Sequence, residues 1–330
     1  MKNFDLQMFN KAPLTAVPGT YGLEPLNTTA TLPNEIKVFY DTALLENARA
    51  NLVFNQFAKK QALPARHGKS VEFRKFNSFG KALEPLTEGV TPTGHTVTVS
   101  AIPVPIAQYG DYVAVSDVLE WSAVDPIIGE ITQENGYQAG ATLDTLTRNA
   151  LMANNSIRYY ANGKAAGTLA KTDKINAADV AKMATLLKKT NTPKIDGSYI
   201  AIIHPSVAYD LRQDNGWIEA HKYSATKEIF NGEIGELSGV RFVETTEAPI
   251  VKDGFAKYHC FFFGKDAFGA IEPTGASLET IIKDKPEIGG PLNLHSTCGW
   301  KASHGAAILY PERIMDYVCG STFSDDDDTN

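Results

Sequence analysis

The residues whose types come nearest to nucleotide chemistry lie in the stretch LPARHGKSVEFRKF, from Leu63 to Phe76. A Gly-Lys-Ser triplet such as Gly68–Ser70 closes a phosphate-binding loop when another glycine stands five positions earlier and a helix follows. Here Leu63 occupies that earlier position, Pro64 comes next, and Val71 and Phe73 alternate with Glu72 and Arg74 as in a strand. The stretch is therefore read as the start of a strand and not as a phosphate grip. For metal chemistry the nearest grouping is His295, Cys298 and His304, with His259-Cys260 upstream. That spacing fits no structural zinc pattern. Glu244 and Glu247 are close enough to suggest an acid and a base, but nothing beside them would orient the pair. The sequence contains no G-x-S-x-G, H-E-x-x-H or G-x-G-x-x-G. It assigns no catalytic residue, no cofactor and no metal ligand, and the expectation is a protein that is not an enzyme. An enzyme with an unrecognised site is kept as an alternative.

What remains is charge. Lys59, Lys60, Arg66, Lys69, Arg74, Lys75 and Lys81 gather in one stretch, with Glu84 and Glu88 just beyond. A solvated face is the ordinary meaning of such a cluster. Because the stretch is also extended, pairing with acidic surface on another subunit is favoured. Arg66, Lys69, Arg74, Lys75, Lys81, Glu84 and Glu88 are accordingly the candidate subunit-contact residues.

The elements that would position them read as follows. Residues 1 to about 32 are rich in Pro, Gly and Thr without periodicity, an arm that needs another surface to order it. Asn34 caps a helical pattern that runs towards Lys60 and stops at Leu63-Pro64. Two alternating runs, KSVEFRKF and HTVTVSA, are separated by a long irregular connection and suggest an extended two-stranded arm. Pro103 and Pro105 place the second run at an edge or a bend. Asp125 and Pro126 then start the strongest helix, running to about residue 153 over roughly 42 Å. Ile128, Thr132, Gly136, Ala139, Leu143, Leu146 and Ala150 mark one face of it, and its small residues imply close packing on a neighbouring backbone. Strands and helices alternate after that: a helix capped by Asn176, a buried strand leading into a helix started by Pro205, and several further strands. The class is α+β. SDDDDTN at the end reads as a solvated acidic tail.

Composition narrows the partners. With 43% hydrophobic and 21% charged residues the 330-residue chain is ordinary for a folded protein. Its formal charge of -7 lacks the basic excess of a free-standing DNA binder. Cys260, Cys298 and Cys319 make no disulfide framework and fit a reducing compartment. No apolar run approaches the roughly 20 residues that span a bilayer, and the start lacks the apolar core of a secretory leader. The expectation is a soluble protein made in a cytoplasm, with no membrane partner.

The order and wording of these segments resemble the major capsid proteins of tailed phages, in particular the branch named after coliphage N4. The resemblance rests on LPARHGKSVEFRKFN, LTEGVTPTG, QYGDYVAVSDVLE, DPIIGEITQENGYQAGATLDTLTRNAL and GWKASHGAAILYPERI, and covers roughly residues 30 to 320. It implies the HK97-type capsid fold: residues 1–65 an N-terminal arm and helix, 66–117 an E-loop reaching over a neighbouring subunit, and 118–156 a peripheral domain with its spine helix. Residues 157–275 would be mainly the axial domain, and 276–330 return strands completing both domains, with the acidic tail. The implied function is a major capsid subunit that self-assembles, as pentamers and hexamers, into an icosahedral shell around a double-stranded DNA genome. Separate scaffolding, portal and decoration proteins are implied partners, DNA would be enclosed without sequence-specific binding, and the location would be the virion after synthesis in the bacterial host cytoplasm. The alternative on the same fold is an encapsulin-type nanocompartment. No residues are carried over for the lysine–asparagine crosslink that some family members make, and no fused scaffolding segment is expected.

Overall fold

The computed structural model describes residues 52–64, 68, 70–76, 81–83, 85–86, 88–91, 94, 96–122, 127–154, 157–222, 233–273, 278–288 and 292–330. The chain divides into two units, Met1–Phe39 and Tyr40–Asn330, and every described residue belongs to the second. The expected N-terminal arm, most of the first helix, its cap Asn34 and the capping pair Asp125-Pro126 lie outside the described residues.

After a 3-10 turn at Asn55–Phe57 come β1 (Lys59–Leu63), β2 (Ser70–Phe76), β3 (Val99–Pro105), β4 (Ala107–Ser116), α1 (Asp117–Ser122) and α2 (Ile127–Asn154). The middle of the chain holds β5 (Arg158–Tyr160), α3 (Ala177–Lys189), β6 (Tyr199–Ile203), α4 (Pro205–Arg212), α5 (Asn215–Lys222), β7 (Glu233–Leu237) and β8 (Val240–Glu244). The last part comprises β9 (Ile250–Asp253), β10 (Phe255–Phe263), β11 (Phe268–Pro273), β12 (Leu278–Lys283), α6 (Lys285–Ile288), β13 (His295–Ile308) and β14 (Ile314–Cys319).

Two sheets and a ribbon result. The seven-stranded sheet has the order β5-β14-β10-β6-β8-β7, with β9 on β10. Its central strands carry the apolar runs YIAII and CFFF because both faces are covered. Tyr199, Ala201, Ile203, Tyr258, Cys260 and Phe262 face a core completed by Val180, Ala184 and Leu187 of α3 and Val207 and Leu211 of α4. Ile200, Ile202, Phe261 and Phe263 point the other way, onto Phe54, Phe268, Ile308 and Leu151 at the end of α2. The helices start where the sequence places them. Asn176 accepts the Asp179 N–H at 2.8 Å, and Pro205 opens α4 behind the His204 ring, whose Nδ1 accepts the Ser206 N–H.

The five-stranded sheet is organised by β13. Its first part pairs with β4 on one side and β12 on the other, and its last residues pair with β11, which also carries β1. α2 lies across it with Thr132, Gly136, Ala139 and Leu143 buried, as its spacing predicts. Further along, Asp144, Thr147, Arg148 and Leu151 take over the buried stripe, and Leu146 and Ala150 are only half-buried.

Three expectations need correction. The first helical pattern does not run to Lys60: Asn55–Phe57 is a single turn, and β1 follows in parallel register with β11, Lys59 opposite Gly269. Tertiary pairing overrides helix propensity there, while Phe54 and Ala58 enter the core. Ala107–Ser116 is not part of the extended arm but a full partner of β13, from His304↔Ala107 to His295↔Ser116. The acidic tail, finally, is pinned: Lys171 and Lys252 pair with Asp325, Asp326 and Asp328, and the Ala256 N–H donates to the Asp325 carbonyl.

Candidate subunit interface

The ribbon is the element that leaves the body. β2 and β3 pair antiparallel from Ser70↔Pro105 to Phe76↔Val99, and β3 pairs with no second strand among the described residues, which is why Pro103 and Pro105 are tolerated. Its root is not free. Val71, Phe73 and Val104 are buried against Ile271 and Leu309 of the same chain. Gly269 makes this fit possible, since a Cβ there would meet the Phe73 Cζ at 2.8 Å. The root of the expected extended arm is therefore buried within its own chain, where one face is covered by β11 and its neighbours.

Charge reinforces that root. Lys75 Nζ lies 3.0 Å from Glu312 Oε1 and 4.4 Å from the centre of the Tyr310 ring. The Arg313 guanidinium stands 3.9 Å from the same ring. Partial burial pushes the Glu312 carboxyl up, but its own backbone N–H, Lys75 and Arg313 together outweigh that and hold it below its usual value. Lys75 thus has partners in its own chain. Arg74 points outward from β2, and Lys81 and Glu88 are exposed in the connection beyond it. Arg66, Lys69 and Glu84 lie outside the described residues.

The same region also carries exposed apolar side chains. Leu83 is 82% exposed and Leu86 77%, with Val90 and Val97 also out in solvent. A second patch lies on α1 and the residues before β13. Trp121 is 86% exposed, and Val118, Leu119, Leu292 and Leu294 are open too. The Asp117 N–H donates to the Leu294 carbonyl at 2.9 Å, joining these segments, and Lys285 neutralises Glu120 at 2.9 Å. Tyr112 and Val113 of β4 add to the exposed set. Exposed large apolar side chains, where they are contiguous, mark interaction surfaces. Leu83, Leu86 and Val90 sit in a Pro- and Gly-rich connection without strand or helix period, and that mismatch was the available signal.

Alternation along β13 separates its faces. Trp300 and Ala302 pack towards α2, and the Trp300 indole N–H donates to Gln138 Oε1 at 2.8 Å. On the other face Tyr112, Ile281, Lys283, Thr297 and Lys301 line, with Ile288, an open groove of about 590 Å³.

The polar groups considered for chemistry are dispersed. Thr147 Oγ1 lies 2.9 Å from His304 Nε2, Cys298 Sγ is 3.5 Å from Thr132 Oγ1, and His295 is exposed. Glu247 pairs with Arg148 and Glu244 with Arg212, each at 3.6 Å. Among the described residues no three His, Cys, Asp or Glu side chains converge on a common point. The buried Asp316 carboxylate joins three strands, with His259 Nδ1 at 2.9 Å and Arg158 Nε at 3.1 Å. Among the described residues no hydroxyl or thiol is hydrogen-bonded to that histidine, and the arrangement ties β5, β10 and β14 together.

The family described as phage capsid protein matches residues 99–315. No curated protein sequence matches the chain. Among solved structures, the capsid of the cyanophage P-SCSP1u aligns at 14% identity and TM-score 0.62, covering 82% of this chain and 89% of that one. The capsid of Ralstonia phage GP4 aligns at 13% identity and TM-score 0.65, covering 82% and 88%. A virus-like particle from Pyrococcus furiosus aligns at 13% identity and TM-score 0.52, covering 86% and 99%. The fold is thus the HK97-like one.

Proposed function

We propose, from the premise that this chain belongs to the phage capsid protein family and is a structural subunit of a phage shell, that it builds an icosahedral lattice of pentamers and hexamers. In this reading copies of the chain associate with one another and the shell encloses double-stranded DNA. The ribbon from residue 66 onward is the E-loop, α2 the spine helix of the peripheral domain, and the seven-stranded sheet with α3 and α4 the axial domain. The N4-type branch is the closer affiliation. The chain itself carries out no catalysis, and scaffolding, portal and decoration proteins are separate partners. Synthesis is in the host cytoplasm, with no membrane step. The net charge of -7 supports a wall to which packaged DNA does not adhere.

One observation carries the reading. The ribbon is fixed at its root by Phe73 and Lys75, yet it carries Leu83, Leu86 and Val90 out into solvent. A rigid base with an exposed apolar end is suited to a neighbour's surface. Burying side chains of this kind stabilises by roughly 1.5–3 kcal/mol each, repeated at every contact of a closed lattice. Negative-stain microscopy of the chain expressed with and without Leu83→Asp and Leu86→Asp tests it. The parent should give closed shells and the double variant dispersed subunits with an unchanged thermal transition. Closed shells from the double variant would refute the role given to the ribbon end. Nucleic acid recovered from nuclease-treated particles separates a genome container from a shell around protein cargo.

A further inference from the structure

Four adjacent aspartates repel one another and by themselves favour a solvated end. The segment Ser324–Asn330 nevertheless lies across the β9–β10 hairpin through three kinds of contact. At the outer edge of β9 the Ile250 N–H donates to Asn330 Oδ1 at 3.0 Å and the Lys252 N–H to Thr329 Oγ1 at 2.9 Å. Asn330 Nδ2 returns a bond to the Ala248 carbonyl at 3.1 Å. At the surface, Lys252 Nζ meets Asp326 Oδ1 at 2.8 Å and Asp328 Oδ1 at 2.9 Å, and Lys171 meets Asp325 at 2.9 Å. Underneath, the buried Tyr258 donates its phenol to Asp327 Oδ2 at 2.6 Å and to the Ser324 carbonyl at 3.0 Å.

The three sets discriminate between positions. Asp327 is the only one of the four carboxylates turned inward, where Ser324 Oγ also donates to it at 2.6 Å. Hydrogen bonds from Ser324 and Tyr258 hold that carboxyl below its usual value, while burial and Asp327 push the Tyr258 phenol up to about 12. Asp326 and Asp328, about nine-tenths exposed, share Lys252 and raise its ammonium above its ordinary value. A strand edge that offers N–H groups, flanked by lysines and one inward-facing hydroxyl, is how an extended peptide is recognised.

We propose that the β9 edge, Lys171, Lys252 and Tyr258 form a binding site for an extended acidic peptide. Its resident ligand is the chain's own terminal SDDDDTN, acting as a salt-releasable clasp on the β9–β10 hairpin. Exposed ion pairs weaken as salt screens them. Release then uncovers the edge N–H groups of Ile250 and Lys252, and an uncovered edge is a template for pairing with another strand.

Hydrogen exchange of the full chain tests this at the amides of Ile250 and Lys252. In the parent at about 0.05 M salt both should be protected, and Lys252→Gln should speed their exchange by at least about tenfold. Raising salt to about 0.5 M should do the same in the parent and little in the variant. A chain ending at Phe323 should exchange at the fast rate, and the synthetic peptide SDDDDTN at millimolar concentration should restore protection. Exchange unchanged by Lys252→Gln and by salt would overturn the proposal. So would a folded truncated chain, judged by its thermal transition, that the peptide leaves unprotected. If truncation abolishes folding, the Lys252→Gln and salt arms decide alone. Particle formation is not the readout, so failure here leaves the capsid reading untouched, and the reverse holds as well.

Discussion

Asp144 is the sharpest place to perturb the body. It lies on α2, is fully buried, and its Oδ1 accepts the Asn55 N–H at 3.0 Å. Burial pushes its carboxyl up to about 6, against the pull of the Asn55, Val53 and Phe54 N–H groups, and Glu247 pushes in the same direction as burial. The charged groups around it are Arg148, one turn along the helix, and Glu247, which stands 3.6 Å from Arg148. Among the described residues, Asp144 Oδ2 and Asn55 Oδ1 are both buried acceptors without a donor. The folded state thus holds a proton more tightly than the unfolded chain does. This contribution is therefore largest below about pH 4 and is lost as pH rises through about 6. The rise from 3.8 to about 6 corresponds to about 3 kcal/mol at ~1.4 kcal/mol per tenfold change. Asp144→Asn keeps an acceptor for the N–H groups, adds a donor and removes the charge. Denaturant unfolding of the unassembled subunit from pH 4 to 8 should show the variant more stable than the parent by about 1–3 kcal/mol at pH 7.5. The two should converge towards pH 4. Titrating groups common to both cancel in the difference. A variant equal to or weaker than the parent at pH 7.5, or a gap independent of pH, would refute the reasoning.

Gly269→Val should push the Phe73 ring off β11 and cost about 1–3 kcal/mol, with faster proteolysis between Phe76 and Val99 as the local readout. The Lys75–Glu312 pair is partly exposed, so a double-mutant cycle with Lys75→Ala and Glu312→Gln should give a coupling below about 1 kcal/mol; a larger value would mean that the pair sets the ribbon root on its own. Trp121→Ser should leave the unfolding midpoint of the subunit within about 0.5 kcal/mol of the parent and lower the yield of closed particles in sedimentation. A strongly destabilised Trp121→Ser subunit would show that this side chain packs within its own chain.

How much of this was legible follows from where each pattern had its partner. α3 and α4 were readable because their starts, the cap Asn176 and the first-turn Pro205, and their apolar faces answer to one nearby sheet. β6 and the Cys260–Phe263 end of β10 were readable because a strand segment covered on both sides is continuously apolar. Lys59–Leu63 was misread because its pairing partner, Gly269–Pro273, lies some two hundred residues away and leaves no local period. The tail was misread for a similar reason: its four aspartates look solvated until Lys171, Lys252 and Tyr258 are brought against them.

At the proposed interface, charge and exposed apolar surface fall on different residues. Charge drew attention to residues 66–88, yet Lys75 is engaged within its own chain while Leu83, Leu86 and Trp121 carry the exposed apolar surface. Near the body, opposite charges and Phe73 fix the ribbon's direction, which a closing lattice requires because a small angular error grows along a lever. In the proposed arm the connection beyond the strands would supply affinity, and exposed leucines suit that better than lysines whose ion pairs are largely screened. A sequence reading that weighs charge first will therefore find the hinge of such an arm and miss its grip.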